Sequence, residues 1–284
     1  MIRFGPAGNS EAFYNAGLTK SEQAPKWLSE MGLSAYEYQC GQGVRIGEAT
    51  AKAIRAEAEK YDIAMSVHAP YFINLASTEP LKQENSISYI MQSLKAAKNL
   101  GAKRVVFHPG GLGKMSRDKA MELAIQLMKE VLSRVDSEGY GDISLCPEVM
   151  GKINQLGNVD EVLELCSLDE RMIPTFDFGH INARTHGGLQ TTADFSELID
   201  KLENKLGSYR MKNLHCHFSR IQFSKGGEVR HWNYSDTEFG PDFDPFAEVI
   251  VKKDMSPIII CESKEHQAED AVTFKNIYNN YLQQ

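Results

Sequence analysis

The chain is poor in cysteine, with five cysteines in 284 residues and no Cys-x-x-Cys pair. Disulfide-held secreted domains are rich in cysteine, and thiolate zinc sites use closely spaced pairs, so both classes are excluded. The five are Cys40, Cys146, Cys166, Cys216 and Cys261. Because their number is odd and their spacing wide, we expect a reduced, cytoplasmic protein whose Cys216 and Cys261 are packing residues.

Long apolar runs are also missing. No run approaches the roughly 18 residues that a transmembrane helix needs. Residues 1–7 lack the charged-then-apolar pattern of a secretory leader. We therefore expect an unexported protein that does not bind membranes.

Basic residues are not in excess. Lys and Arg number 31 against 38 Asp and Glu, a net charge of −7. This balance argues against a protein that binds nucleic acid through a generally basic surface. A metalloenzyme escapes this exclusion, since divalent cations in its cleft reverse the local field.

What the sequence does contain is a regular alternation of strand-like and helix-like segments. The predicted strands are 2–5, 35–39, 64–68, 104–108, 143–148, 173–177, 214–218 and 258–262. The predicted helices are 24–31, 48–60, 87–100, 117–135, 159–168, 195–206, 246–251 and a closing helix from 265. Segments 179–192 and 219–245 are predicted loops, and neither has the composition of a linker. The pattern predicts an α/β protein with a single (β/α)8 TIM barrel domain over residues 1–284.

Six of the predicted strands end on a potential metal ligand. These residues are His68, His108, Glu148, Asp177, His217 and Glu262. In parallel barrels the carboxyl ends of the strands meet at one face, where active sites are built. Imidazole and carboxylate groups without thiolate suit zinc or another first-row metal. The sequence therefore predicts a metal cluster at this face.

Neighbouring polar residues extend the predicted site. His180 follows Asp177 by three residues, so the two side chains can converge on one metal or on two adjacent metals. Tyr71 and Arg184 are candidates for contacts with an anionic substrate, or else ordinary rim residues. By contrast, His186 and His266 fit neither pattern, and we expect both at the surface.

These residues resemble the endonuclease IV family of apurinic/apyrimidinic endonucleases, within the xylose-isomerase-like group of barrels. The segment His68-Ala-Pro-Tyr71-Phe-Ile-Asn-Leu is similar to the family's His-x-x-Tyr-x-Ile-Asn-Leu. Phe107-His108-Pro-Gly resembles its Phe-His-Pro-Gly turn, and Asp177-x-x-His180 its Asp-x-x-His pair.

The resemblance implies two or three zinc ions, with Mn2+ in some positions. His68, His108 and a bridging Glu148 would hold the first ion. The implied ligands of the second ion are Glu148, Asp177, His217 and Glu262. His215, two residues before His217 on the same strand face, is expected one layer deeper.

The implied third set departs from the family. His180 would pair with an Asp-x-His from the long loop, where this chain has Glu228-Val-Arg230-His231. The motif is one residue longer and has Glu for Asp, and the longer carboxylate compensates for the spacing. We therefore keep His180, Glu228 and His231 as expected ligands.

The resemblance implies DNA as substrate and a phosphodiesterase reaction. The expected activity is incision 5′ to abasic sites by a zinc-bound hydroxide, on duplex DNA with abasic or 3′-blocked lesions. Glu148 would position the hydroxide, and Glu262 would ligate a metal and help deprotonate the water. We expect a monomer that needs no organic cofactor.

Two other functions remain open at this point. A sugar isomerase or epimerase of the same superfamily would use one ion held by Glu148, Asp177, His217 and Glu262. Such an enzyme has no need of His68, His108, His180 and His231 as further ligands. The other alternative is a non-catalytic zinc-binding or DNA-binding scaffold.

Overall fold

The computed structural model describes residues 1–283, which contain ten strands. These strands are β1 (Arg3–Pro6), β2 (Ala35–Gln39), β3 (Ala64–His68), β4 (Arg104–Phe107), β5 (Ser144–Pro147), β6 (Thr175–Asp177), β7 (His215–Phe218), β8 (Arg220–Ser224), β9 (Gly227–Trp232) and β10 (Ile258–Cys261). All except β8 and β9 are parallel and form a barrel. The eight barrel strands correspond to the eight predicted from the sequence, with ends that differ by one or two residues.

Two four-stranded sheets close this barrel. Their strand orders are β1-β10-β7-β6 and β2-β3-β4-β5. Single parallel bridges join them, between Ala7 and Glu37 on one side and between Glu148 and Thr175 on the other. Gly5 permits the first closure, because a Cβ there would lie 1.8 Å from the Ala35 carbonyl oxygen. The predicted (β/α)8 fold class is therefore confirmed.

Helices surround the barrel. In chain order they are α1 (Glu11–Asn15), α2 (Ala24–Glu30), α3 (Glu48–Lys60), α4 (Pro80–Leu100), α5 (Arg117–Ser137), α6 (Val159–Cys166), α7 (Phe178–Arg184), α8 (Thr192–Leu206), α9 (Ser208–Lys212), α10 (Asp244–Lys252) and α11 (Gln267–Leu282). Local sequence fixes several ends: Ser116 caps α5 by accepting from the Lys119 amide, and Gly101 ends α4 in a left-handed conformation.

The predicted loop 179–192 is wrong in its first half, because α7 occupies Phe178–Arg184. Asp177 caps this helix, and its Oδ1 accepts a hydrogen bond from the His180 amide at 2.8 Å. The sequence interpretation treated Asp177 only as a ligand and so missed its capping role. The helix places His180 one turn above the end of β6.

The predicted loop 219–245 is also partly wrong, since its first half forms the antiparallel hairpin β8–β9. The Lys152–Gly227 bridge joins this hairpin to the loop after β5. A functional segment of the chain is thereby fixed against the barrel rim.

The hydrophobic core lies between the barrel and its helices. All five cysteines are buried and unpaired, and Cys216 and Cys261 belong to this core, as expected. No helix within residues 1–283 has the length and apolar character that crossing a membrane requires. One domain over 1–284 stays a prediction, which the pairing of β1 with β10 supports.

Candidate metal centre

The carboxyl ends of six strands bring the six predicted ligands together. His68 ends β3, His108 follows β4 and Glu148 follows β5. Asp177 ends β6, His217 lies in β7 and Glu262 follows β10. Parallel pairing aligns these ends, so side chains that are far apart in sequence share one face of the barrel.

Glu148 is the centre of this arrangement. Its Oε2 lies 3.2 Å from Nε2 of His68 and 3.2 Å from Nε2 of His108. Its Oε1 lies 3.1 Å from Nδ1 of His180 and 3.6 Å from Nδ1 of His217. The carboxylate is fully buried, so its two oxygens can be shared between two adjacent groups of ligands.

The ligand atoms form sets compact enough for a metal ion. One set is His68, His108 and Glu148, and another is Glu148, Asp177, His217 and Glu262. Within each set the ligand atoms lie within 4.8 Å of one another.

Buried polar atoms without partners test whether a metal fits. Glu148 Oε1, Asp177 Oδ2 and His217 Nδ1 have no hydrogen-bond partner among the described residues. Such orphaned groups are costly in a protein interior unless something unseen satisfies them. Here all three belong to the four-residue set, whose nitrogen and oxygen donors are those that zinc accepts. The residues present therefore fit a divalent metal.

Backbone carbonyls orient two of the imidazoles. Nδ1 of His68 lies 2.8 Å from the carbonyl oxygen of Ala69, and Nδ1 of His180 lies 3.0 Å from that of Val149. A carbonyl only accepts, so Nδ1 carries a proton in both rings, and Nε2 is the nitrogen with the lone pair when the ring is neutral. Nε2 is thus the nitrogen available to a metal in both residues.

The third predicted set is also assembled. His180, Glu228 and His231 form a compact group, with His180 Nε2 3.4 Å from Glu228 Oε2. The hairpin supplies Glu228 and His231, and Ser219 Oγ lies 2.8 Å from Nδ1 of His231. Glu for Asp therefore does not prevent the convergence that the sequence predicts.

Glycine allows this third set to close. A Cβ on Gly151 would come within 2.6 Å of the Glu228 Cβ and 2.9 Å of the His180 Cδ2. The sequence interpretation missed Gly151. Its role depends on a contact between two segments distant in sequence, which no local pattern reports.

The electrostatics of the metal-free centre follow from burial and close pairing. Burial disfavours a charged His68, but the adjacent Glu148 outweighs it and raises the pKa of His68 to about 9. Burial lowers the pKa of His108. It also opposes ionisation of Glu148, yet the surrounding imidazoles hold the pKa of this carboxyl well below its ordinary value. Glu148 is consequently an anion at the centre of the site.

A cleft of about 850 Å³ opens above the centre. Tyr71 lines it, half exposed, with its ring stacked on His108 at a centroid distance of 5.4 Å. Three exposed cations, Lys152, Arg230 and Lys264, also line the cleft. The cleft therefore combines buried carboxylates at its floor with positive charge at its rim.

The structure does not bring Arg184 into this cleft. Its guanidinium donates to the carbonyl oxygens of Met150 at 3.0 Å and Lys152 at 2.8 Å. These bonds hold the loop after β5. Arg184 therefore has a structural contact here, and its contact with a substrate stays a prediction.

The remaining histidines lie where the sequence places them. His186 and His266 are exposed, and His266 directly precedes α11. His215 is fully buried one layer below His217. Beside it lies Glu37 of β2, also fully buried, which the sequence interpretation missed. Glu37 stands in mid-strand between two tyrosines, and only strand ends were considered as ligand positions.

Comparisons with known proteins place these observations in a family. Residues 25–277 match the family described as xylose isomerase-like TIM barrel. An uncharacterized protein of Methanocaldococcus jannaschii is 34% identical over 252 residues, which cover 89% of each chain. A probable endonuclease 4 of Mycoplasma pneumoniae is 28% identical over 202 residues, 69% of this chain and 66% of that protein. The chain thus spans slightly under two thirds of the length of this second relative.

Solved structures agree on the fold. Endonuclease IV from Thermus thermophilus superposes with a TM-score of 0.69 at 18% identity, covering 99% of both chains. A D-tagatose 3-epimerase-like protein superposes with a TM-score of 0.72 at 20% identity, covering 99% of this chain and 97% of that one. At such identities the likeness concerns the fold alone, so the activity has to be argued from the site.

Proposed function

The chain belongs to the xylose isomerase-like TIM barrel family, and on that premise we propose that it is a metal-dependent phosphodiesterase acting on DNA. The proposed reaction is hydrolytic incision of a duplex 5′ to an abasic site. Relatives named as probable endonuclease 4 support the proposal.

The observation that carries it is the third set of ligands. A reaction at a single metal ion needs one set of ligands. His180, Glu228 and His231 form a further set beside the two sets that share Glu148. Adjacent metals clamp the attacking and leaving oxygens of a phosphoryl group, a geometry suited to phosphodiester hydrolysis. An isomerase has no use for these additional imidazoles.

Metal ions bound in these sets would supply an activated water and neutralise the charge of the phosphate. Glu148 and Glu262 have separate roles in the proposed reaction. Glu148 holds the two main sets together through its two oxygens. Glu262 Oε1 lies 3.4 Å from His217 Nδ1, and its carboxyl reaches the cleft. The other oxygen, Oε2, can therefore take a proton from a water in the cleft.

The rim of the cleft suits a nucleic acid. Lys152, Arg230 and Lys264 can neutralise phosphates, while Tyr71 offers an exposed ring beside His108. The net charge of −7 argues against a generally basic surface, but a substrate responds to the local field of the cleft. Positive charge at the rim is therefore compatible with DNA binding.

The test is cleavage of a labelled duplex that carries one stable abasic-site analogue. The protein is assayed as purified, after prolonged chelation, and after zinc is restored, with an undamaged duplex of the same sequence as control. We expect a single incision 5′ to the analogue that is lost on chelation and regained with zinc. Absence of incision by protein verified to contain zinc would overturn the proposal.

A sugar epimerase is the second candidate. The set Glu148, Asp177, His217 and Glu262 alone could hold one ion between two glutamates, as proton transfer beside a carbonyl requires. The D-tagatose 3-epimerase-like neighbour is compatible with this possibility. Turnover of ketohexoses with Mn2+ or Co2+, together with no incision of DNA, would favour it.

A further inference from the structure

The interior of the barrel below the metal centre is unusually polar. Bulky branched apolar side chains generally fill the layers of such barrels. Here Glu37, Ser66 and His215 occupy adjacent interior positions, and all three are buried. A buried carboxylate without a function is costly, so Glu37 requires an explanation.

Four groups surround the Glu37 carboxylate, and one of them is the Gln39 amide, which donates to Glu37 Oε1 at 3.1 Å. Oε2 of Glu37 accepts a hydrogen bond from Ser66 Oγ at 2.9 Å and lies 2.9 Å from His215 Nε2. Its Oε1 lies 3.0 Å from Nε2 of His217. Ser66 Oγ and the Gln39 amide donate to this carboxylate, so it is placed as a hydrogen-bond acceptor behind a proposed metal ligand.

Arg104 fixes the protonation of His215. Its guanidinium, which can only donate, lies 3.3 Å from Nδ1 of His215 and also donates to the Asn213 carbonyl at 2.7 Å. Nδ1 of His215 must then accept, which leaves the ring proton on Nε2, directed at Glu37. Burial lowers the pKa of His215 to about 4, in keeping with a neutral ring.

The same geometry argues against a metal ion among Glu37, His215 and His217, although the three form a compact group. A metal ligand must offer a lone pair, and Nε2 of His215 carries a proton. In addition, Glu37 Oε2 already accepts from Ser66. The group is therefore a hydrogen-bonding network rather than a binding site.

His217 connects this network to the metal centre. Its Nδ1 lies 3.4 Å from Glu262 Oε1 and its Nε2 lies 3.0 Å from Glu37 Oε1, and neither nitrogen makes a hydrogen bond of good geometry among the described residues. A histidine that ligates metal through one nitrogen generally donates the other N–H to a carboxylate or carbonyl, which fixes the tautomer and raises ligand basicity. Glu37 occupies that position.

We propose that Glu37 is a positioning residue that keeps the ring proton of His217 on Nε2, so that Nδ1 ligates the metal held by Glu148, Asp177 and Glu262. The role deepens the proposed function and rests on its metal centre. Ser66, His215 and Arg104 would in turn hold the Glu37 carboxylate in place.

The test compares the zinc content of variants equilibrated at a fixed concentration of free Zn2+. Glu37→Gln keeps the shape of the side chain but removes the charge, and its amide cannot serve both imidazoles. We expect zinc affinity at the four-residue set to fall about 10–100-fold, as for other carboxylates behind metal-bound histidines. At a suitable free zinc concentration the variant would hold one ion fewer than the wild type.

Matched control variants show which set of ligands has lost its zinc ion. Cys146→Ala alters a buried residue of the barrel interior whose thiol bonds to the Ser144 carbonyl rather than to a ligand, so it should retain the wild-type zinc content. Combining Glu37→Gln with His231→Ala should remove two ions, because the two changes act on different sets. The melting temperature of each metal-free variant would show whether the barrel itself has been disturbed.

A measurement on the wild type is independent of folding defects. Long-range proton–nitrogen NMR spectra of zinc-loaded, histidine-labelled protein report which ring nitrogen of His217 carries the proton. We expect the proton on Nε2, and a proton on Nδ1 would overturn the inference. Unchanged zinc affinity in a folded Glu37→Gln variant would do the same while leaving the metal centre intact. Absence of zinc binding by the wild type would instead refute the proposed metal centre.

Discussion

Glu262 differs from the other carboxylates of the four-residue set in its access to the cleft. Glu148 and Asp177 are completely buried, whereas the Glu262 side chain remains 16% exposed. Burial opposes its ionisation, but the adjacent His217 lowers the pKa of Glu262 to about 2, so it is ionised at neutral pH. Within the four-residue set, Glu262 is therefore the carboxylate most accessible to a water in the cleft, from which it can accept a proton.

Replacing Glu262 with Gln should therefore affect catalysis more than folding. The substitution preserves the shape of the side chain and removes its ability to accept a proton, so we expect incision to fall about 10²–10⁴-fold. The measurement is the single-turnover rate of incision at saturating enzyme. Zinc content and melting temperature recorded on the same preparation separate lost proton transfer from lost metal. A rate equal to that of the wild type would remove Glu262 from its catalytic role.

The sequence pattern alone reveals the predicted ligands but not the residues that position them. The strand-end rule identifies His68, His108 and Glu148, because an apolar run that stops at a polar residue is visible in one dimension. Glu37 lies within a strand, and its meaning depends on the His215 that faces it across the barrel. Such a partner 178 positions away is not visible in any local pattern.

Among the elements, the β8–β9 hairpin was the main omission of the sequence interpretation. Residues 220–224 alternate polar and apolar side chains and precede two glycines, a pattern typical of a hairpin. The sequence interpretation predicts a loop over 219–245 and so misses this hairpin. The hairpin brings Glu228 and His231 over the centre, and Glu228 N donates to the Gly151 carbonyl at 3.2 Å.

Gly151→Ala should open the third set without replacing a ligand. The added methyl would collide with the Glu228 Cβ and the His180 ring, and overpacking of this kind displaces neighbours. A shift of about 1 Å in a catalytic group can cost about 10²-fold, so we expect a comparable loss of incision. Zinc analysis should show one ion fewer than in the wild type.

Gly226→Ala is the matched control, at the turn of the hairpin that supplies Glu228. A Cβ there would have one neighbour within 4 Å, the Ser224 Oγ at 3.8 Å, among the described residues. This variant should keep both its zinc and its rate. If Gly151→Ala also kept them, the hairpin would not be part of the working site.

At the scale of the whole molecule, the metal centre concentrates carboxylates inside the barrel. Glu37, Glu148 and Glu262 have lowered pKa values although burial opposes their ionisation, because the nearby imidazoles stabilise the carboxylates. A divalent ion bound there would provide this stabilisation in place of the imidazole protons, and it would find no such site in the unfolded chain. Metal binding should therefore stabilise the entire fold.

The expected result is a higher melting temperature with zinc, and an increment that grows with pH. Zinc at about 100 times its Kd adds roughly 2.7 kcal/mol to the free energy of unfolding, which corresponds to an increase of several degrees in the melting temperature of a protein of this size.

The pH dependence follows from His68. In the metal-free protein His68 has its pKa raised to about 9, chiefly because Glu148 overcomes the effect of burial. Below that pH a proton occupies the imidazole and zinc must displace it, so affinity falls as pH falls and rises towards pH 9. Melting curves recorded at fixed free zinc from about pH 6.5 to 9 test both statements. His68→Ala is the control that lacks the contribution of His68, and part of the pH dependence should remain in it, because, against the effect of burial, adjacent carboxylates raise the pKa of His180 and of His217. Stability that did not respond to zinc would contradict the metal centre, whereas a zinc increment independent of pH would contradict only the protonation of these histidines.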